Sequence, residues 1–495
     1  MTTDRVARPD TADDECVDCG YVPELKRTLG GFQVFAVSFA FISVAVGIFG
    51  TYDDLLQTSG PVGIWLWIIA AIGQTLVALV VAQFAARIAL SGSSYQWASR
   101  LANPKVGWLF GWLTFWYLAI AVVAVDNALA SQALMPLLGI GDNEDAARLI
   151  TIAVLVVQAA LVIASTRLVG LITSGAVGLE LGIVLVLVLV LGIVMAVTGS
   201  GHVDNLTTRG ITAGAGDYYA IGGGLMAGMI MGLTTLVGFD SAANLAEEAK
   251  DPFRSVPRAI VASVVAAGIA GLVFLIALTI AIKDVNSVSH SGSPVALIIR
   301  EQLGPVAERI LLAGIVLAMF GAGLVVMAAC SRQVFAMARD ARFPAHRMMR
   351  QVNPRTQTPV PATLLILAVG VVLMATLHGA ALIQLIIAST ILPALIYGAI
   401  VVLYLAVRKR LEYKEGGFSL GRFELPVAGI ALVWVIVAIF VLVTPTSARV
   451  PSFIVLGLIA LGVGYFLKML ILNREVLDTE PGVDEFAAAP ESSAR

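Results

Sequence analysis

Charged side chains are scarce in this chain. Asp, Glu, Lys and Arg make up 13% of its 495 residues, whereas hydrophobic residues make up 59%. Because soluble domains carry about 25% charged residues, this composition excludes an ordinary soluble enzyme and predicts an all-α polytopic membrane protein with the lipid bilayer as its surroundings. The net charge of −2 says nothing about partners, and no basic face indicates nucleic acid as one.

Cysteine and histidine are also rare. Three cysteines make no disulfide framework, and Cys16 with Cys19 supplies only two of the four ligands of a tetrahedral zinc site. The four histidines are scattered, and the metalloprotease, nucleophile-elbow and P-loop patterns do not occur. We therefore expect a protein that is not an enzyme or an ATP-driven pump and that needs no metal or cofactor.

Long hydrophobic runs are what the chain has in abundance. A membrane core needs about 20 apolar residues per helix, and about twelve segments reach that length. The polar ends, residues 1–30 and 475–495, are predicted to be disordered. The twelve predicted helices lie near 32–56, 62–86, 107–137, 148–165, 169–198, 218–246, 257–282, 306–337, 360–378, 380–407, 425–444 and 450–471.

Lys and Arg are distributed unevenly among the loops between these segments. If the N-terminus is inside the cell, all but six of the 31 basic residues fall on the inner side, as the positive-inside rule requires. We predict that both termini are cytoplasmic and that the protein lies in the plasma membrane. The six outer residues are Arg148, Arg209, Lys283, Arg300, Arg309 and Arg449.

A glycine-punctured apolar segment occurs in each half of the chain. The first is residues 38–50 (SFAFISVAVGIFG), and the second is residues 232–240 (GLTTLVGFD). Unwinding a helix in a membrane frees backbone N–H and C=O groups that need partners. Interrupted helices at matching places in two halves point to the binding site of a secondary transporter. The alternative is that the glycines only allow close helix packing.

The two segments also carry a family resemblance. Gly47-Ile48-Phe49, after a run of serine and small residues, resembles the first-helix break of the amino acid–polyamine–organocation superfamily. The string from Gly238-Phe239-Asp240 through Glu247-Glu248 to Arg258 resembles that superfamily's sixth helix and following loop. Stretches at 60–65, 91–97 and 331–340 are similar to the branch that carries amino acids and choline.

This resemblance implies an architecture for the whole membrane region. It implies a five-plus-five inverted repeat with interrupted helices 1 and 6, followed by two C-terminal helices. The first repeat corresponds to residues 31–198, the second to residues 218–407 and the last two helices to residues 425–471.

The first break is a candidate site for a substrate carboxylate. Ser43 lies at the break, and the N–H groups of Ala45, Val46 and Gly47 begin the outer half-helix, whose positive dipole end favours an anion. Ala45 also replaces the first glycine of the G-x-G pattern that many members of the superfamily have, which suggests a modified pocket wall.

The second break is a candidate site for the substrate's amine. The carbonyl groups of Leu233, Thr234 and Thr235 end an outer half-helix and suit an ammonium group, so the two breaks together would hold a zwitterion. Thr234 stands where the superfamily commonly has a bulky aromatic gate, which suggests a roomier or more polar pocket. Phe239 either contacts a substrate cation through its ring or packs in the core.

Three carboxyl groups fall well inside apolar segments, where a charge costs several kcal/mol and marks a functional hypothesis. Asp240 and Glu180 are the candidates for proton coupling, with structural pairing as the alternative. Asp126 is a candidate contact for a substrate amine, with a position facing an outer vestibule as the alternative. Glu247 and Glu248 are expected to pair with one of the basic residues that follow them at the inner mouth: Lys250, Arg254 or Arg258.

Sodium coupling is disfavoured because residues 317–323, in the middle of the eighth helix, contain no hydroxyl group, and hard cations need oxygen ligands. We therefore predict proton-coupled uptake of amino acids or related amines by alternating access. An amine, choline or polyamine transporter and a substrate exchanger stay open. Outside this class, a nutrient sensor without flux and a channel are the alternatives.

Overall fold

The computed structural model describes residues 27–141, 143–377, 380–411, 417–445 and 448–479. Cys16 and Cys19, and most of the two predicted tails, lie outside these residues. The main helices are α1 (Gly31–Ile42), α2 (Val44–Thr58), α3 (Leu66–Ala85), α4 (Ser93–Leu101), α5 (Pro104–Ala128), α6 (Glu144–Ala164), α7 (Thr166–Thr198), α8 (Gly224–Thr235), α9 (Pro252–Ala281), α10 (Pro305–Arg339), α11 (Val360–Thr376), α12 (Ala380–Val407), α13 (Glu424–Val443) and α14 (Arg449–Leu472).

Membrane-length helices dominate the described part of the chain. Ten of its helical spans are long and apolar enough to cross a membrane, and the shorter apolar helices α8 and α11 lie at two further predicted segments. In lipid, a helix satisfies its own backbone, which is why apolar runs of this length become helices. The prediction of an all-α polytopic membrane protein is confirmed.

Polar residues between the apolar runs set where several helices begin. The side chain of Asn143 accepts a hydrogen bond from the N–H of Ala146 at 3.0 Å, and Asn103 accepts one from Lys105 at 2.8 Å. These N-caps satisfy donors that have no partner inside the helix. Helix α5 continues through a π-helical turn (Leu129–Leu134) into a short helix, Met135–Leu138.

Two long helices organise the packing. Helix α10 is buried along most of its length against α5 and α7, and α9 packs against α3 and α1. Helix α8 packs against α2 and α3. This arrangement places the two ends at which α1 and α8 stop in the interior of the protein. Helix α4, which is mostly buried, packs against α5, and the hydrophobic pattern did not predict it because its sequence mixes serine, glutamine and aromatic residues.

Candidate functional site

The first break lies at a single residue, Ser43. Helix α1 ends at Ile42 and α2 begins at Val44, and Ser43 between them has φ 31° and ψ 99°. A non-glycine residue with positive φ is uncommon. This conformation costs of order 1–3 kcal/mol and persists only where the surrounding contacts offset that cost. The Oγ of Ser43 accepts a hydrogen bond from the N–H of Val46 at 3.2 Å and thereby caps α2.

Glu180 of α7 holds the start of α2. Its Oε1 accepts hydrogen bonds from the N–H of Ala45 at 2.8 Å and from the hydroxyl of Ser43 at 3.2 Å. The side chain is 2% exposed, and a carboxylate is stabilised at the positive end of a helix. The N–H of Gly47 meanwhile donates to the carbonyl of Ser43 at 3.0 Å.

These hydrogen bonds change the interpretation of the first break as a site for a substrate carboxylate. The N–H groups of Ala45, Val46 and Gly47, which the sequence assigned to a substrate carboxylate, all have partners within the protein. The acceptor at the helix start is the protein's own carboxyl group, that of Glu180. The sequence identified the first break and Glu180 as separate candidates. It did not predict the contact between them, because 135 residues separate Ala45 from Glu180 along the chain.

The second break leaves carbonyl groups without partners. Helix α8 ends at Thr235, and no hydrogen bond from the described residues reaches the carbonyl oxygens of Leu233, Thr234 and Thr235. The hydroxyls of both threonines donate back to the carbonyl of Met231, at 3.2 and 2.7 Å. The three carbonyls form the negative end of a half-helix, which suits a cation.

The two breaks touch each other. Gly47 faces the side chain of Thr235 so closely that a Cβ atom on Gly47 would overlap it, and Gly238, at φ +80°, lies against the ring of Phe41. The hydroxyl of Ser38 donates to the carbonyl of Phe239 at 2.7 Å. Each contact joins the first broken segment to the second, so residues about 200 positions apart form one polar region.

Asp240 anchors the second break to two other helices. Its Oδ1 accepts a hydrogen bond from the hydroxyl of Tyr397 in α12 at 2.8 Å, and its Oδ2 lies 3.4 Å from the hydroxyl of Ser93 in α4. The side chain is 7% exposed. The same tyrosine hydroxyl accepts from the N–H of Gly238 at 2.8 Å. Asp240 is therefore held by hydroxyl groups.

Two tyrosines belong to this region although the sequence did not single them out. Tyr397 stacks on Phe239 with ring centroids 4.7 Å apart, so the ring of Phe239 packs in the core. Tyr117 of α5 lies 6.0 Å from Phe41, and its buried hydroxyl has no hydrogen-bond partner among the described residues. The sequence feature that could have identified both is a tyrosine within an apolar segment, because a buried tyrosine hydroxyl usually needs a hydrogen-bond partner.

Asp126 lies in a different place. It follows Tyr117 by nine residues on α5, which is about 13 Å along a helix. Its Oδ1 accepts from Nε2 of Gln158 in α6 at 2.8 Å, and the same nitrogen lies 3.3 Å from the carbonyl oxygen of Phe320 in α10. The structure thus puts Asp126 at the contact of α5, α6 and α10.

The two glutamates after the second break, Glu247 and Glu248, pair with α10. Glu248 contacts Arg332 at 2.7 Å, with both side chains at most 1% exposed, and Glu247 contacts Arg339 at 3.0 Å. The prediction that they pair with Lys250, Arg254 or Arg258 is wrong. The chain turns after Glu248. The two glutamates are therefore buried, whereas the three basic side chains are exposed.

Two cavities that the described residues form beside the breaks are small. A cavity of about 10 Å³ is lined by Ala45, Phe49 and Glu180, and another of about 10 Å³ is lined by Leu233, Val237 and Tyr397. Such a volume holds at most one water molecule. A substrate therefore enters these spaces only if the surrounding helices move.

Comparison with known proteins extends the resemblance along the chain. A family model described as amino acid permease matches residues 29–465. Amino-acid permease BAT1 from Arabidopsis thaliana is 26% identical over 485 residues, covering 91% of this chain and 93% of the relative. The GABA-specific permease of Saccharomyces cerevisiae is 28% identical over 360 residues, covering 70% and 63%. A putative polyamine transporter of Candida albicans is 24% identical over 452 residues, covering 86% and 80%.

Proposed function

Because this chain belongs to the amino acid permease family, we propose that it carries amino acids or related amines across the membrane by proton-coupled alternating access. The observation that carries the proposal is the contact between the two broken helices, each held by a buried carboxyl group. As part of it we retain the five-plus-five repeat, cytoplasmic termini and a plasma-membrane location.

Substrate binding is assigned to the second break. The carbonyl oxygens of Leu233, Thr234 and Thr235 have no partner among the described residues and suit an ammonium group. The unpaired hydroxyl of Tyr117 is a further donor for a polar substrate. A substrate carboxylate competes with Glu180 for the N–H of Ala45, so an amino acid binds there only when Glu180 gives up that bond.

Glu180 supplies a way to couple a proton to that exchange. Its ionised carboxylate accepts from Ala45 and Ser43 and ties the start of α2 to α7. A proton on the carboxyl removes the charge that the positive end of α2 favours, which weakens the tie and frees the N–H for another anion. Asp240 acts in the same way at the second break, where it ties the chain after α8 to Tyr397 and Ser93.

Uptake into proteoliposomes tests this function. Purified protein in vesicles with an imposed inward proton gradient is expected to accumulate a labelled substrate, chosen by a thermal-shift screen of amino acids and amines. A sodium gradient without a proton gradient is expected to drive none. Accumulation driven by sodium alone would refute the proton coupling.

The same vesicles separate the other candidates. Uptake that needs unlabelled substrate inside the vesicle identifies an exchanger. Binding in the thermal-shift assay without flux identifies a nutrient sensor. If choline or a polyamine stabilises the protein more than any amino acid does, the substrate is an amine. The similarity to the putative polyamine transporter is compatible with that outcome.

A further inference from the structure

A third cavity, larger than the two beside the breaks, opens beside the first turns of α1 and α9. It measures about 520 Å³, and its lining includes Gly30 and Phe35 on one side and seven residues between Lys250 and Ala262 on the other. Because Ala262 follows the start of α9 at Pro252 by ten residues, the cavity reaches about 15 Å along that helix. It therefore extends from the polar residues at the start of α9 into the apolar part of that membrane-length helix.

The mouth of this cavity carries three cations. Lys250, Arg254 and Arg258 line it and are exposed, and their spacing of four residues puts the two arginines on one face of α9. None of the three forms an ion pair with a described residue, in contrast to Arg332 and Arg339, which each hold a glutamate. Among the described residues, Asp251 is the one carboxylate that lines the cavity, so this part of the lining has a net positive charge.

The deeper part of the cavity is apolar. Phe35 lies on the α1 side, and Ala259 and Ala262 lie on the α9 side. The lining thus changes from cationic to hydrocarbon along the direction that leads into the membrane. A small soluble anion would satisfy the mouth and leave the apolar part empty, whereas an amphiphile with an anionic head and an acyl chain matches both parts.

We propose that this cavity binds one anionic phospholipid. Its phosphodiester lies between Arg254 and Arg258, with Lys250 at the outer edge, and one acyl chain covers Phe35 and Ala262. Basic pockets between helices at a membrane surface recognise acidic lipid headgroups. This site is independent of the substrate site and of the coupling ion.

The bound lipid also bears on the shape of the inner mouth. The N–H of Lys250 donates to the carbonyl of Leu29 at 3.0 Å, and a β-bridge joins Leu29 to Ala249. This bridge closes the chain before α1 onto the chain before α9 at the edge of the cavity. A lipid that contacts both sides favours the bridged arrangement, so anionic lipid is expected to stabilise the folded protein.

Lipid binding to the purified full-length protein tests the proposal. In neutral detergent, phosphatidylglycerol is expected to raise the unfolding temperature more than phosphatidylcholine does. Arg254→Gln with Arg258→Gln is expected to weaken phosphatidylglycerol binding about 30-fold, since each basic residue near an anionic headgroup contributes about 1 kcal/mol. The matched control, Lys409→Gln with Arg410→Gln, removes the same charge from exposed positions on another inner loop and is expected to bind like the wild type.

Two further arms decide between a lipid and a free anion. Inorganic phosphate is expected to give no comparable stabilisation, and Ala262→Trp, an exposed position that fills the apolar part, is expected to weaken lipid binding without a change in charge. Equal protection by inorganic phosphate would overturn the lipid assignment. Equal loss of binding in the control pair, or wild-type lipid binding in the arginine pair, would overturn the site.

Discussion

Replacing Asp240 by asparagine is the sharpest test of how this permease uses its buried acids. The carboxyl group is tied to the hydroxyls of Tyr397 at 2.8 Å and Ser93 at 3.4 Å. An asparagine keeps an oxygen that accepts from Tyr397, and its amide nitrogen can donate to Ser93. The variant therefore preserves the shape and the contacts of the second break but cannot take up or release a proton.

The magnitudes separate two roles for Asp240. Hydrogen bonds to a charged group contribute about 1.5–3 kcal/mol and neutral ones about 0.5–1.5 kcal/mol, so the change costs about 1–2 kcal/mol of stability at the Tyr397 bond. If Asp240 carries the coupling proton, substrate binding stays within a few-fold of wild type while gradient-driven accumulation is lost. If Asp240 instead pairs with the substrate's ammonium, binding weakens by about 2–5 kcal/mol, which is 30-fold or more.

The assay measures both quantities on one preparation. Substrate affinity comes from the shift in unfolding temperature with concentration, and accumulation comes from vesicles with an imposed proton gradient. Asp126→Asn is the matched control, because it makes the same chemical change at a buried carboxyl that bonds to Gln158 rather than to Tyr397 and Ser93. It is expected to keep proton-driven accumulation.

One result would refute the reasoning for Asp240 altogether. Wild-type affinity together with wild-type accumulation in Asp240→Asn excludes both roles and leaves Glu180 as the coupling acid. Loss of accumulation in Asp126→Asn to the same extent would show that any buried carboxyl is needed for folding or insertion, and the yield of correctly folded protein on gel filtration distinguishes that case.

Three further outcomes follow from the same contacts. Glu180→Gln is expected to fold and to bind substrate but to lose the pH dependence of uptake, and an unchanged pH profile of uptake would contradict the coupling role. Glu180→Ala leaves the N–H of Ala45 unpaired and is expected to lose about 1–3 kcal/mol of stability, which thermal unfolding measures. Arg332→Gln leaves a buried carboxylate without its cation and is expected to cost about 3–5 kcal/mol in thermal unfolding, while a loss below 1 kcal/mol would mean that the pair is hydrated. Gly47→Ala is expected to abolish transport because its Cβ overlaps the side chain of Thr235. Adding Thr235→Ala to this variant is expected to restore part of the transport. Equal transport in the single and the double variant would show that the two side chains do not contact each other.

Several features follow from the sequence because they depend on local properties of the chain. Apolar runs of membrane length become helices whatever surrounds them, since lipid offers the backbone no other partner. The interruption near Ser43 and the one after Thr235 carried the same kind of signal, because glycines and hydroxyl residues cluster where a helix stops. The family resemblance rests on such local strings.

The partners of the buried polar groups were decided only by the tertiary structure. The sequence placed a substrate carboxylate at Ala45, but the fold brings Glu180 there from α7. It did not single out Tyr397, which donates a hydrogen bond to Asp240, and it did not predict that Gln158 bonds to Asp126. A long-range hydrogen bond depends on the rotation and depth of two helices that pack together, and neither quantity is encoded in the hydrophobic pattern of either helix, because both are apolar on all sides.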